Sequence, residues 1–359
     1  MKAARIITPR QPLEVKEIDR PKPKGSQVLI KVQSAGVCHS DIHLWDGGYE
    51  GLEGQFLSAT DRGVKYPLTP GHEISGFVED LGEEASTALE GNIGRNEKVL
   101  VYPWIGEGLC PACRVGHENL CDKPRSLGIY AEGGYAEYVL VPNYRYLIKV
   151  GAGDHDLNMD SIATLSCSAL TAYGAVKNAS LGPNDNVVIV GAGGLGIMAI
   201  QLAKAVTGAR IIATDLNDDK LRLAKENGAD NIINSKNEDA VKAVMDLTDN
   251  LGADAVIDFV NASKTVETDM QFLRRRAKLV LVGLFGGELK LNLVTMPSRA
   301  YKLIGSYTGN MMDLIELVSL AKRGVIKPVI SNQFKLDQAT EALEMLKEGK
   351  ILGRGVINP

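Results

Sequence analysis

Between Val187 and Ser306 short β-branched runs alternate with helical stretches, a pattern that a parallel sheet with crossover helices accommodates. The predicted strands are Val187–Val190, Arg210–Thr214, Asn231–Ile233, Ala255–Phe259, Lys278–Val282 and Leu303–Ser306. Between them lie helical stretches such as Leu195–Thr207, Asp218–Asn227 and Asp239–Asn250. Six strands joined this way predict an α/β fold with a doubly wound parallel sheet. Gly191-Ala192-Gly193-Gly194-Leu195-Gly196 joins the first strand to the first helix. There Gly191 allows a tight turn, Gly193 lets the backbone approach a pyrophosphate, and Gly196 lets helix and strand pack closely. The helix N-terminus at Gly194 and Leu195 offers amide donors and a positive dipole. A glycine turn that holds nothing is the competing reading, but the strand before and Asp215 after the turn favour a dinucleotide. Asp215 is placed to bond the adenosine ribose diol and to repel a 2′-phosphate. Leu216-Asn217 follow with no adjacent Arg, so NAD is expected over NADP.

The chain of 359 residues is long enough for two domains. Up to about Cys167 it reads as short strands broken by Gly and Pro, among them Val28–Val32, Lys98–Tyr102 and Tyr135–Val141. After the alternating region come two amphipathic helices, Met311–Arg323 and Asp337–Glu348, and a final strand at Leu352–Ile357. This tail is expected to return to the first domain, leaving the dinucleotide domain inserted. The uncharged stretch Asn186–Ala203 approaches the length of a membrane span, but its glycines and β-branched run describe a buried strand, turn and helix. A net charge of -4 gives no reason to expect nucleic acid or an anionic membrane as partner. The start, Met1-Lys2-Ala3-Ala4-Arg5, has no apolar signal segment, and the cytoplasm is the expected compartment.

All five cysteines fall into two metal-ligand constellations. Glu107-x-x-Cys110-x-x-Cys113, then seven residues, then Cys121, is compact enough to wrap one tetrahedral Zn²⁺. Three free thiols on a loop is the alternative, an oxidation liability at this density. With four protein ligands such a site has no open position and serves to hold a loop, at about 10 kcal/mol of local folding energy. A carboxylate at Glu107 should release metal more readily as pH falls than a fourth thiolate. Cys38 and Cys167 stand far apart, with Gly71-His72-Glu73 between them. Two thiolates and an imidazole leave a fourth position open, and two negative ligands leave a modest Lewis acid suited to an alkoxide. Position 76 is Gly76, so the metalloprotease helix motif is absent. If Cys38-His39-Ser40-Asp41-x-His43 begins a helix, Ser40 and His43 share a face and can pass a proton outward. A capping serine and an exposed histidine remain the competing reading.

These residues resemble the zinc-dependent medium-chain alcohol dehydrogenase family over essentially the whole chain. Gly71-His72-Glu73-x-x-Gly76, five residues, then Gly82-x-x-Ala85 is similar to the family's zinc signature. The nearest likeness is to its tetrameric archaeal and bacterial NAD-dependent members. The resemblance implies a β-rich GroES-like catalytic domain, residues 1–167 and 308–359, with a structural zinc lobe at about 104–124. It implies a Rossmann NAD-binding domain over 168–307 and an active cleft between the two. It further implies two Zn²⁺ per subunit: a catalytic one on Cys38, His72 and Cys167 with Glu73 close behind, and a structural one on Glu107, Cys110, Cys113 and Cys121. Asp41 would orient His72, while Ser40 and His43 would carry the proton relay. His39 and Arg354 would face the pyrophosphate, with His39 standing where many relatives have Arg. Lys220 would approach the adenosine ribose. Thr171 and the segment Val282–Phe285, including Leu284, would line the nicotinamide, and Trp104 and Leu127 would border the substrate. The implied reaction is reversible oxidation of a small primary or secondary alcohol to an aldehyde or ketone, with hydride passing to NAD. The implied assembly is a homotetramer, with a homodimer as alternative. The Trp45–Val64 loop is longer than in close relatives, which leaves substrate preference open.

Other functions compete. Sugar and polyol dehydrogenases share the superfamily but tend to depart from a second cysteine at the third zinc position. Zinc-free quinone reductases share the folds without the ligands. From a different class, a catalytically silent NAD-binding protein fits the glycine turn alone.

Overall fold

The computed structural model describes residues 1–150 and 158–359; the part of the expected catalytic domain at 151–157 lies outside the described residues. The six expected strands form one sheet, at Asn186–Val190, Arg210–Asp215, Asn231–Asn234, Ala253–Asp258, Leu273–Leu281 and Lys302–Gly305. Numbered along the chain, their spatial order is 3-2-1-4-5-6, and every pairing is parallel. Val187, Val188 and Ile189 are fully buried, as strands covered on both faces require. The Gly194–Thr207 helix follows the first strand and buries Ile197, Met198, Ile200 and Leu202. The uncharged stretch is thus strand, turn and helix, and no helix among the described residues is long and apolar enough to cross a membrane.

A second, mostly antiparallel sheet is built from both ends of the chain. Its path runs Ile330–Lys335, Arg354–Asn358, Val28–Gly36, Glu73–Leu81, Lys98–Val101 and Leu147–Lys149, with Tyr138–Val141 also pairing with Val28–Gly36. The C-terminal strand meets the N-terminal part directly, Val356 opposite Gly36 and Ile357 opposite Ala35. The C-terminal strand thus joins the antiparallel sheet, and the parallel sheet is inserted between the two halves of that sheet in the chain.

Element ends differ from the sequence reading where backbone chemistry intervenes. The helix expected over Asp239–Asn250 is Ala240–Leu247, because Asp249 and Asn250 take left-handed φ of 51° and 59°. The helix expected from Asp337 begins with a short 3₁₀ turn, Leu336–Gln338, before Ala339–Lys347. A helix crossing between the sheets runs from Met159–Thr164 to Leu170–Ala179 through a π turn at Leu165–Ala169. Such single-turn widenings are frequent at functional sites, and this one carries Cys167.

Candidate active site

A cleft of about 270 Å³ lies between the two sheets and gathers most of the residues singled out from the sequence. From the parallel sheet come Gly191, Gly193, Gly194, Leu195, Gly196, Asp215, Lys220, Val282, Leu284 and Phe285. From the other side come Cys38, His39, Ser40, His43, Trp104, Cys167, Thr171 and Arg354. Leu127 is buried but does not line the cleft; its backbone N–H bonds Pro103.

The glycine turn has the shape the sequence implies. Gly191 takes a φ of 89°, and a Cβ on Gly196 would stand 1.9 Å from the Gly191 carbonyl oxygen. Asp215 is fixed at the end of its strand by three backbone donors, Ala192 at 2.8 Å, Leu216 at 2.8 Å and Asn217 at 3.0 Å. Its carboxylate thus braces the turn while facing the cleft.

At the cleft floor, donor atoms of Cys38, His72, Glu73 and Cys167 all lie within 4.8 Å of one another, and all four residues are buried. Cys38 caps the His39–Asp46 helix, and its sulfur stands 3.9 Å from that of Cys167. Asp41, fully buried, holds the group from behind. Its Oδ2 accepts from the Cys38 N–H at 3.0 Å and the Tyr135 hydroxyl at 3.1 Å, and its Oδ1 accepts from the Gly71 N–H at 3.1 Å. His72 Nδ1 lies 3.3 Å from Asp41 Oδ1, an ion-pair distance with poor hydrogen-bond alignment. His72 Nε2 and Glu73 Oε2 are buried without a hydrogen-bond partner. Two sulfurs and an orphaned imidazole nitrogen converging in one buried place fit a thiophilic cation such as Zn²⁺.

The electrostatics of this floor are tightly linked. Contact with Cys167, and after it with His72, holds the Cys38 thiol well below the usual range despite burial. Contact with Cys38, together with burial, pushes the Cys167 thiol up. Burial pushes Glu73 up to about 7 against the opposing pull of Arg354. Arg354 is 3% exposed and bonds Glu73 Oε1, which also accepts the Ser168 N–H at 3.2 Å. Arg354 lines the cleft beside the glycine turn: its aliphatic stem packs against Gly194, its Nη2 bonds Glu73, and its Nε is buried without a partner.

Ser40 and His43 both reach the cleft from one face of their helix, though no hydrogen bond joins them. Burial lowers the His43 imidazole, which stacks on Tyr49 at 4.4 Å. Burial holds His39 down at about 4, and it packs on Phe285 at 5.6 Å. Trp104 donates to the Ser166 carbonyl at 2.9 Å and sets its ring 5.4 Å from His72 and 5.8 Å from Tyr307.

The long loop after this helix forms a hairpin, Gly48–Glu50 paired with Phe56–Ser58. It borders a second cavity of about 680 Å³ that shares His43, Phe285 and Lys347 with the cleft. The Glu50 carbonyl packs so closely on Gly286 that a Cβ there would meet it at 2.4 Å. The hairpin thereby bridges the two sheets beside the cleft.

The remaining cysteines form the other cluster. Cys110, Cys113 and Cys121 sulfurs lie within 4.8 Å of one another in the lobe after Trp104. The Cys113 N–H bonds Cys110 Sγ at 3.5 Å, and the Glu107 and Lys123 N–H groups bond Cys121 Sγ at 3.3 and 3.4 Å. The Glu107 carboxylate is not among the converging donors, contrary to the sequence expectation. Its backbone amide serves the cluster while its side chain stays half-exposed.

Sequence reasoning missed Tyr135, Ser168, Phe259, Val260, Ser306, Tyr307 and Thr308, which support or line the site. Tyr135 and Ser168 act through partners 94 and 95 residues away, which no local pattern reveals. Phe259 and Val260 had a signal: they follow the fourth strand, at the edge where a doubly wound sheet binds its ligand.

Fold and site together define a two-domain, nicotinamide-type oxidoreductase with a sulfur-rich metal site in its cleft. Residues 24–152 match the model of the alcohol dehydrogenase GroES-like domain, and residues 194–323 match that of the zinc-binding dehydrogenases. The chain is 45% identical to an NAD-dependent alcohol dehydrogenase of Sulfurisphaera tokodaii and 43% to one of Saccharolobus solfataricus, covering the full length of each. In structure it is similar to the alcohol dehydrogenase of Aeropyrum pernix, with a TM-score of 0.89, 35% identity and full coverage of both chains. It is also similar to the D-arabinose dehydrogenase of Sulfolobus solfataricus, with a TM-score of 0.82 and 30% identity over 100% of this chain and 99% of the other. The chain belongs to the zinc-dependent medium-chain alcohol dehydrogenase family.

Proposed function

We propose that the protein is an NAD-dependent alcohol dehydrogenase that interconverts small primary or secondary alcohols and the matching aldehydes or ketones. The observation that carries this reading is the convergence of Cys38, His72 and Cys167 at the floor of the cleft that also holds the glycine turn and Asp215. Zinc bound by Cys38, His72 and Cys167 supplies a Lewis acid that favours ionisation of an alcohol, and NAD supplies the hydride acceptor.

The protein's own groups do the rest. Asp41 positions His72 and the Cys38 amide, as a buried imidazole ligand requires. Glu73 and Arg354 compensate each other behind the sulfurs, so that the floor carries no unpaired carboxylate. Ser40 would take the alcohol's proton as its own hydroxyl proton moves outward along the face it shares with His43, whose imidazole, lowered by burial, is a base at the outer end of that path. Asp215 and Lys220 hold the adenosine ribose, and Thr171, Val282, Leu284 and Phe285 border the nicotinamide. Trp104 and Tyr307 wall the substrate side. Cys110, Cys113 and Cys121 would hold a second Zn²⁺, which would brace their lobe and bring the count to two per subunit.

In this reading the catalytic unit comprises 1–167 and 308–359, and the coenzyme unit 168–307. A homotetramer working in the cytoplasm is the proposed form, with a homodimer as the smaller alternative. Leu293 and Val294, 79% and 73% exposed near the open edge strand Lys302–Gly305, support a face for a second copy. Turnover on a panel of simple alcohols and polyols, followed by NADH absorbance, tests the substrate class. Turnover of polyols alone would move the assignment to the sugar dehydrogenases, a reading favoured only by the likeness to the D-arabinose enzyme.

A further inference from the structure

His43 stands where the two cavities meet: it lines both the cleft and the larger space bordered by the hairpin. Among the described residues no hydrogen bond or ion pair fixes its imidazole, and only its backbone carbonyl is bonded, to the Gly47 N–H that caps the helix. The direction in which the ring points is therefore set by what packs on its face.

That packing comes from the hairpin. The chain reverses at Gly47, whose φ of 84° suits glycine, and the strand Gly48–Glu50 starts one residue later. The reversal brings Tyr49 back over the last turn of the helix. There its ring stacks on His43, with centroids 4.4 Å apart and planes inclined by 29°. The partner strand holds Tyr49 in place. Tyr49 opposes Leu57, and Gly48 packs so tightly that a Cβ on it would stand 2.3 Å from the Leu57 carbonyl oxygen. The Ala59 N–H bonds the Gly47 carbonyl at 2.8 Å, and the turn that follows sets the Arg62 guanidinium 5.0 Å from the Tyr49 ring centre.

A stack suits a proton carrier better than a hydrogen bond does. Both imidazole nitrogens lie at the ring edge, so contact on the face fixes the ring and leaves both nitrogens free. A neutral imidazole can then take a proton at one nitrogen and give one to water from the other, and no charge accumulates.

We propose that Tyr49 is a positioning residue: its ring face holds the His43 imidazole at the junction of cleft and outer cavity, aimed to carry the alcohol's proton outward. Without that face the imidazole is free to swing into the outer cavity of about 680 Å³. The inference rests on the reading that His43 serves the proton path of an alcohol dehydrogenase.

The test is single-turnover alcohol oxidation at saturating alcohol, followed by NADH absorbance in a stopped-flow instrument. It compares wild type with Tyr49→Phe, Tyr49→Leu, His43→Gln and the double variant Y49L/H43Q. Y49F keeps the ring face and should stay within about 2-fold of wild type. Y49L keeps apolar bulk without a flat face and should slow hydride transfer roughly 10-fold, with NADH affinity and melting temperature near wild type. H43Q should slow it roughly 100-fold, and the double variant should be no slower than H43Q alone, within about 2-fold. Losses that multiply in the double variant overturn the proposal, because Tyr49 would then act on the substrate or the frame and not on the imidazole. A Y49L rate equal to wild type overturns it too, as does a loss in Y49F as large as that in Y49L, which would assign the effect to the hydroxyl. If Y49L does not fold, Tyr49→Met takes its place in the same cycle. An H43Q variant as fast as an active wild type removes the proton-path reading and this proposal with it, whereas a wild type that oxidises no alcohol sinks the enzyme assignment itself.

Discussion

The two sulfur clusters use the same donor chemistry in opposite surroundings. Cys38 and Cys167 are 129 residues apart, buried, and backed by Asp41, Glu73 and Arg354. Cys110 and Cys121 are 11 residues apart, and Cys110 and Cys113 are half-exposed with backbone amides as their chief support. Ligands drawn from distant segments converge only after the fold has formed, so metal bound there adds chemistry to an existing frame. Ligands within one loop cannot be placed by a core, so metal there organises the loop itself. The first cluster opens on the cleft, whereas the second has no cavity lined by its sulfurs among those around the cleft.

This contrast breaks most directly at Cys38. Cys38→Ser is expected to lower kcat/KM by at least about 1,000-fold while NADH affinity and melting temperature stay near wild type. Stopped-flow hydride transfer beside NADH fluorescence checks it. A parallel collapse of coenzyme binding would show that the cleft cluster is structural too. Cys113→Ser should do the reverse: a loss of about 3 kcal/mol in unfolding free energy, with one zinc fewer per subunit and turnover per folded molecule largely kept. Metal content, thermal unfolding and active-site-normalised rates measured together separate the two cases. If C113S disables hydride transfer in folded protein as severely as C38S, the division of labour is wrong.

How much of this was legible depended on sequence distance. The existence of the parallel sheet follows from six evenly spaced runs and one glycine turn, because each strand and its helix are local units. The grouping of the five cysteines followed from counting, since only two sensible sets exist. The Arg354–Glu73 bond spans 281 residues and had no signature, so Arg354 was assigned to the coenzyme alone. The π turn that aims Cys167 was equally hidden, because Leu165–Ala169 has ordinary helix-forming composition. Asp269 lies on the mostly polar Ser263–Phe272 helix, and tertiary packing alone turns it inward. Glu107 shows the opposite failure: its spacing suggested a ligand, but a half-exposed loop leaves the carboxylate free to point elsewhere.

Two acidic residues carry the contrast to smaller effects. Glu73→Gln should cost about 3 kcal/mol in denaturant unfolding, because it leaves the Arg354 guanidinium buried without its counter-charge. Stability within about 0.5 kcal/mol of wild type would mean that Arg354 finds another partner in the cleft.

Glu107→Gln is expected to change almost nothing, within about 0.5 kcal/mol in stability and with zinc content unchanged at pH 7. The substitution keeps the backbone N–H that bonds Cys121 and alters only a carboxylate that stands outside the converging sulfurs. Zinc retention in E107Q and wild type, followed from pH 7 to 5 against a colorimetric chelator, makes this a direct test. Three thiolates alone would lose metal along the same curve in both proteins, because the protons that compete are those of the sulfurs. A wild-type curve displaced from that of E107Q would show the carboxylate swinging in to complete the shell. The lobe would then be a closed four-ligand site, and its exposed setting the reason that one ligand moves.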